Sequence, residues 1–459
     1  MKVLLAGYNV DTDVLAEISR GSSRDDLTPE TLSAAYARIS RDPRPVDELR
    51  LIARKEVGKA RQSNAKIIFD MGHSSVAEHA VFNFDIIDLS RLAIEELEKF
   101  RLASYTEKSQ RYQKLEDNCY IPAELASSEF AGPIADLTEK QNRLYQALLG
   151  RGVEPEDARY VTPLSTMGQL GMTVNARTLE LMIRRFASSQ LAEVRGLGKE
   201  LLALAAKVAP SLIRYTEATN YESRTSADLQ KFFKGKWERK RFRSQPCVLV
   251  DYTKDADIKL VSALLHSSST ISYLNCRRQV KGMSRLEREK AVKQACRHLN
   301  FFNAVLREFE HVTLTFDLVM SAGCFAQLKR HRPLTLTTQP YEPLLGVTLP
   351  ARLVGDNEVE ALIKKTNDLF SKIVTHFPAA APYVLTGAHR RRALLTINAR
   401  ELYHLSRLRE DAHAQWDINE LSGAMTKMAK EVMPLTMLMV GGKDSFVQRY
   451  QSVYGGGGE

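Results

Sequence analysis

Cysteine is scarce and poorly placed for cross-linking. The five residues, Cys119, Cys247, Cys276, Cys296 and Cys324, are odd in number and form no C-x-x-C pair. That argues against a disulfide framework and against a zinc site, so buried structural thiols are expected and no metal ligand set is assigned. Long apolar runs are missing too: nothing approaches the roughly 20 residues needed to span a bilayer. The opening MKVLLAGYNVDTDVL is interrupted by Asn9, Asp11 and Asp13 too early for a signal peptide and reads as a first strand, which points to a cytoplasmic chain. There is no Gly-rich phosphate loop and no Ser-His-Asp constellation. What remains is a globular composition, 44% hydrophobic and 26% charged, over 459 residues. That length predicts roughly two to four domains. The formal charge of +10 suits anionic partners, among them nucleotides, cofactor phosphates and nucleic acid.

Self-similarity organises the chain. SVAEHAVFNFDIIDLSRLAIEELEKFR (75–101) parallels REFEHVTLTFDLVMSAGCFAQLKRHR (307–332); each carries Glu-His, an alternating strand and a helix leading into a basic motif. GMTVNARTLELMIRRF (171–186) parallels LLTINARELYHLSRLR (394–409). The copies are offset by 232 residues at Glu78 and Glu310, and by 223 at Asn175 and Asn398. Order and spacing kept in two separate blocks indicate duplication of one domain. The expected organisation is a first copy over 1–225, a basic linker over 226–256 and a second copy over 257–459. Within the linker, KFFKGKWERKRFR (231–243) mixes Lys and Arg with Phe and Trp, a composition able to bind nucleic acid. It reads instead as a solvated connector with anchoring aromatics, so nucleic acid is not an expected partner. The tail GGGGE (455–459) is uninformative.

The two copies carry half-broken versions of one motif. KRHRPLTLTTQPY (329–341) keeps Arg330, His331 and Arg332 but has Pro340 where the other copy has Ser109. KFRLASYTEKSQRY (99–112) has Lys99, Phe100 and Arg101 in the triplet, yet keeps Ser104, Glu107, Ser109, Arg111 and Tyr112. A second asymmetry lies in NARELYHLSRLREDAHAQWDI (398–418). On a helix running through this segment, Leu402, Leu405, Leu408, Ala412 and Trp416 form an apolar arc opposite Arg400, His404, Arg407 and Asp411. Arg409 falls inside the apolar arc, with His413 beside it. A buried guanidinium needs an anion, a hydrogen-bonding ligand or an internal carboxylate, and the pattern leaves these open. The equivalent position in the first copy is Phe186, which needs no partner.

These residues resemble the flavin-dependent thymidylate synthases. Their signature is Arg-His-Arg, seven residues, then Ser, usually with x-Arg-Tyr, preceded by Glu-His and a strand and followed by Asn-Ala-Arg and Leu-Arg…Ala-Gln-Trp. The resemblance spans most of both halves. It implies an α+β fold in two tandem copies, each an antiparallel sheet surrounded by helices. It also implies FAD as cofactor, with NADPH and methylenetetrahydrofolate as co-substrates, a uracil nucleotide, dUMP, as substrate, and homotetrameric relatives. A homodimer of this doubled chain would then form a pseudo-tetramer. Carried over residue by residue, the second copy supplies Gln327, Arg330, His331, Arg332, Asn398, Arg400, His404, His413 and the activating, catalytic Arg409. Of these, Gln327, Arg330 and Arg409 face the substrate, while Arg330, His331, Arg332, Asn398, Arg400, His404 and His413 face the flavin. The first copy supplies Glu107, Ser109, Gln110, Arg111 and Arg159 to the nucleotide, and His73, Ser75 and Glu107 to the flavin. The losses are complementary: Lys99, Phe100 and Phe186 in one copy, Pro340 and Pro382 in the other, with Val305 and Arg307 at the two flavin-side places. One composite site per pair of copies is therefore expected. Thr106, Lys108 and Gln110 depart from the family's usual residues around the nucleotide loop. They leave room for C5 modification of another uracil nucleotide, or for a silent flavin- or nucleotide-binding protein.

Overall fold

The alternating segments of both copies form sheet. In the computed structural model, which describes residues 1–21, 27–115, 118–236 and 245–455, strands β1 (Lys2–Tyr8), β2 (Val81–Ser90), β3 (Ala103–Glu107) and β4 (Met167–Asn175) make a four-stranded antiparallel sheet in the order β1-β2-β4-β3. Strands β5 (Cys247–Tyr252), β6 (Thr313–Ser321), β7 (Thr335–Thr338) and β8 (Arg390–Asn398) repeat the pattern as β5-β6-β8-β7. Helices surround each sheet, so the α+β class and the duplication expected from sequence are both present. Phe82, Phe84 and Ile86 point inward from β2, while Asn83 and Asp85 face out. Leu314, Phe316 and Leu318 do the same from β6. Each such side chain contributes about 1.5–3 kcal/mol by leaving water. Phe84 lies opposite Met172, and Phe316 opposite Leu395.

Short polar side chains start the helices that follow the strands. Ser90 accepts the Ala93 N–H and Ser321 the Cys324 N–H, at the heads of Arg91–Leu97 and Ala322–Leu328. Asn175 and Asn398 cap Ala176–Ala187 and Ala399–Arg409 in the same way. Losing such a cap costs about 1 kcal/mol. The asparagine of Asn-Ala-Arg is thus a helix cap in both copies.

One difference in the strands bears on the site. The β2–β4 ladder shifts register between Ile87 and Leu89, where Asp88 has φ of 57°. The β6–β8 ladder runs uninterrupted. The first copy therefore holds an extra bulge residue, and an aspartate tolerates that left-handed conformation better than most residues.

The described chain separates into two contact units, one of Met1–Lys240 with Gly355–Thr386 and one of Arg241–Val354 with Gly387–Glu459. In the first, helix Asn357–Ile373 packs on helix Ala131–Gly150, and Gln141 donates to the Val384 carbonyl at 2.9 Å. The second has its core around Phe309, Phe316, Phe325, Leu395, Leu402 and Met425. The span 226–256 includes the end of helix Asn220–Phe233 and all of β5; of the basic stretch 231–243, residues 237–243 lie outside the described residues, as do residues 456–459 of the glycine tail. Cys247, Cys276, Cys296 and Cys324 are buried and Cys119 half-buried, all as free thiols. Burial pushes the Cys247 and Cys296 thiols up to about 12, which keeps them inert near neutrality. Among the described residues, no helix is long and apolar enough to cross a membrane.

Candidate active site

Two sets of functional side chains gather, one in each unit. In the second unit, Arg409 closes helix Ala399–Arg409. The single helix expected through residue 418 is not formed: the chain turns at Glu410 and resumes a helix only at Trp416. Asp411 causes the break. Its buried carboxylate accepts the His413 N–H at 2.8 Å and pairs with Lys443 at 2.8 Å, a local turn that competes with helix. Asp411 is therefore inside rather than on a polar face, Ala412 and His413 are exposed, and Leu408 is 40% exposed.

Arg409 is half-buried and donates to His331 and Gln327. Its Nε donates to His331 Nε2 at 3.0 Å, Nη1 to Gln327 Oε1 at 3.0 Å and Nη2 to the Gln327 carbonyl at 3.2 Å. Gln327 comes from helix Ala322–Leu328 and His331 from the turn just after it. Because a guanidinium only donates, His331 Nε2 must be the bare nitrogen. The proton then sits on Nδ1, 3.3 Å from Glu401 Oε1. Burial lowers the His331 pKa, with the Arg409 charge acting in the same direction against Glu401, so the neutral ring is favoured.

This has a consequence for pH. The unfolded chain takes up a proton near the ordinary histidine value of about 6.5, before the folded ring does. The contribution of neutral His331 to stability is whole above that value and is lost as pH falls toward the lower folded value. Thermal unfolding between pH 7 and pH 5 is expected to show a fall in stability that His331→Asn, although less stable throughout, reduces.

Around this triad, His404 is exposed, with Nδ1 3.0 Å from Arg407 Nη2 and its ring 5.7 Å from that of His331. Ligand atoms of His331, Glu401 and His404 lie within 4.8 Å of one another. Partial enclosure of the ring lowers the His404 pKa despite the exposure of the residue as a whole, and Arg407, Arg409 and Arg400 press the same way. So positive a setting suits an anion better than a metal cation. Arg400 donates to the Val305 carbonyl at 2.9 Å and pairs with Glu310 at 3.1 Å. A small crevice of about 40 Å³ runs between Arg400, Tyr403, His404, Arg407, Phe301 and Lys443. Arg330 is exposed, its Nε 3.3 Å from the Ala326 carbonyl, and Arg332 is half-buried. Asn398 is engaged as a helix cap, and His413 lies exposed beyond the turn.

In the first unit, the loop after β3 presents Ser109, whose hydroxyl accepts the Arg111 N–H at 3.2 Å. Ser109 and Gln110 line a cavity of about 250 Å³ together with Asp88, Lys108, Asn118 and Gly168. The buried Nε2 of Gln110 has no hydrogen-bond partner. Glu107 is buried and ion-paired with Arg91. Arg111 pairs through Nε with Glu156. Arg159 is 7% exposed; its Nε donates to the Glu156 carbonyl at 3.1 Å, and its buried Nη2 has no partner. Burial draws the Arg159 pKa down, and the nearby charges of Arg91 and Arg111 add to it. An arginine stays charged under such pressure, so the arrangement is poised for an anion. His73 and Ser75 are exposed, at the start of the short turn Ser74–His79.

A family model described as thymidylate synthase complementing protein matches residues 25–211 and again 248–435. The chain belongs to the flavin-dependent thymidylate synthase family. A flavin-dependent thymidylate synthase of Geobacter sulfurreducens is 33% identical over 193 residues, 40% of this chain and 81% of that protein. A Chlamydia muridarum protein called UPF0159 is 25% identical over 428 residues, 82% of this chain and 79% of its own, so that similarity crosses both copies. A solved structure of a UMP/dUMP methylase from Streptomyces cacaoi, bound with 5-Br dUMP, shares 19% identity over 49% of this chain and 94% of that one, with a TM-score of 0.36.

Membership makes this a tandemly duplicated methyltransferase of the flavin-dependent thymidylate synthase family, and the duplicated fold serves as its own control. Where Arg409 bonds His331, the first copy has Phe186 edge-on to Phe100 at 5.6 Å. The polar pair has been exchanged as a pair. The cavity beside Ser109 also has a counterpart. Gly168, Ile94 and Gln110 correspond to Arg391, Phe325 and Tyr341 in the second copy. There the Arg391 guanidinium lies 4.6 Å from the Phe325 ring centre and 4.4 Å from that of Tyr341. Its Nη2 donates to Thr338 Oγ1 at 2.8 Å and to the Gln339 carbonyl at 3.0 Å. In the first copy even a Cβ at Gly168 would come within 3.2 Å of Ile94. Reading the sequence missed Asp88, Gly168, Arg391 and Glu156. Only Glu156 left a usable signal, as the acid three residues before Arg159 in PEDAR, replaced by PAAAP in the other copy.

Proposed function

We propose that this enzyme methylates C5 of dUMP, taking the carbon from methylenetetrahydrofolate and the reducing equivalents from NADPH through bound FAD, in the cytoplasm. The observation that carries the proposal is the Arg409–His331–Gln327 triad. A cation directed by His331 and Gln327 can stabilise negative charge developing on the N3 and carbonyl edge of uracil, which makes C5 nucleophilic without a cysteine adduct. The donor set of the second copy fits a flavin: Arg330, His331, Arg332, Arg400 and His404 bring cations and ring edges for a diphosphate and an isoalloxazine, beside a crevice with Phe301 and Tyr403. When bound, the flavin supplies the redox step, and the protein supplies position and charge. Ser109, Gln110, Arg111 and Arg159 hold the nucleotide, its phosphate against the arginines by charge-assisted hydrogen bonds. His73, Ser75, Glu107, Asn398 and His413 complete the flavin side.

The two sets of losses are complementary, so the copies work together in one composite site, formed within a chain or across a homodimer arranged as a pseudo-tetramer. The division proposed is a first copy over 1–225, a linker over 226–256 that also carries β5 of the second sheet, and a second copy over 257–459. The test is purified holoenzyme: a yellow protein with a single flavin per chain, whose NADPH oxidation accelerates on adding dUMP with the folate and yields dTMP. A preference for UMP over dUMP moves the substrate to the ribonucleotide. A protein unable to take up FAD overturns the reading.

A further inference from the structure

Glu156 stands in the short helix Pro155–Ala158, three residues before Arg159. It makes two contacts of different kinds. Its carboxylate pairs with Arg111 Nε, and its main-chain carbonyl accepts from Arg159 Nε at 3.1 Å. Both guanidinium groups thus meet at one residue, Arg111 at the Glu156 side chain and Arg159 at its main-chain carbonyl, although they arrive from separate parts of the sequence. The buried Nη2 of Arg159 still lacks a hydrogen-bond partner. A buried charged donor left unsatisfied costs more than the ~1–3 kcal/mol of a neutral one, so the site is built to be completed by an acceptor from outside.

The second copy shows that the three belong together. At the places of Arg111, Glu156 and Arg159 it has Glu342, Ala379 and Pro382. Both cations and the carboxylate are absent at once, and an acid replaces one arginine. Had Glu156 been present only to start its helix, its loss would not need to accompany loss of the arginines. Ala379 leaves the next turn, Ala381–Val384, intact.

We infer that the Glu156 side chain is a positioning group for the anion site, aligning Arg111 beside the backbone-anchored Arg159 on the phosphate of a nucleoside monophosphate. The inference rests on the nucleotide reading given above. Pre-aligned guanidinium groups lose little freedom on binding, whereas misplacement of about 1 Å costs as much as 10²-fold. What matters at Glu156 is an acceptor oxygen at the reach of Arg111, more than the charge itself.

Four variants of the holoenzyme test this. Glu156→Ala is expected to raise the nucleotide KM and the Kd of inorganic phosphate by about tenfold or more, with kcat changed by less than about threefold. Glu156→Gln, which keeps the acceptor at full reach, restores most of the affinity. Glu156→Asp keeps the charge but falls one methylene short, so it behaves like Ala; it also replaces Ala if the alanine variant fails to fold. Wild-type affinity in both Ala and Asp variants, or a fall in kcat at unchanged KM, overturns the inference. Arg111→Ala separates the two levels of the argument. If it loses nucleotide affinity while Glu156→Ala does not, only the role of Glu156 falls. If Arg111→Ala also binds normally, the phosphate site itself has been misplaced.

Discussion

Arg409→Ala is expected to lower turnover about 10²–10³-fold, with nucleotide and flavin still bound. In the proposed mechanism the contribution of this guanidinium grows as charge develops on the uracil edge, so its loss is expected to fall on kcat more than on KM. The structure adds a complication. Removing Arg409 also strands Gln327 Oε1 and the buried His331 Nε2, which accept from it now. That costs about 1–3 kcal/mol of stability per unsatisfied group. Arg409→Lys distinguishes the two effects. A lysine keeps the charge but cannot reproduce three directed bonds from one plane, so turnover stays low while much of the folding loss is recovered. Steady-state kinetics and thermal unfolding on the same preparations separate them. Near wild-type turnover in Arg409→Ala would remove the arginine from the chemistry.

How far the sequence could anticipate this arrangement depends on range. The strands were legible because inward residues such as Phe82, Phe84 and Phe316 recur at the two-residue period of a pleat. The duplication was legible because order and spacing survive in it. The helix break at Glu410 was not, since Leu402, Leu405 and Leu408 continue a helical period while Asp411 makes a local turn with His413 and an ion pair with Lys443, a partner distant in sequence. The asparagine expected on the flavin side also caps a helix in both copies, a second role that the motif alone did not announce. The partners of Arg409 were hidden for a similar reason. Periodicity shows that a guanidinium points inward, but not which distant acceptors meet it. Arg391 also meets partners some fifty residues away, Thr338 and Gln339, and comparison of the two copies is what exposes its role and that of Glu156.

Phe186→Ala should have the opposite signature to Arg409→Ala, although the two residues occupy the same place in the duplicated fold. Phe186 is 3% exposed, edge-on to Phe100, and its Cβ sits where a side chain on Gly198 would come within 2.9 Å. Truncation there removes a ring from a site where helix Ala176–Ala187 lies close against Ala192–Val208. Large-to-small changes of this kind cost about 3–5 kcal/mol. For a unit of this size that corresponds to a fall of roughly 10 °C in Tm. Whatever enzyme remains folded at low temperature should turn over at the normal rate per bound flavin, because the proposed reaction assigns no role to that place. Phe186→Arg is the sharper form of the experiment. It would put a guanidinium beside Phe100, where the other copy offers His331; Glu96 stands in the place of Gln327 and is already paired with Lys99 at 2.6 Å, so the charge gains that acceptor only by breaking an existing pair. Reduced kcat per bound flavin in Phe186→Ala would mean that both copies contribute to chemistry and that the asymmetry between Arg409 and Phe186 has been misread.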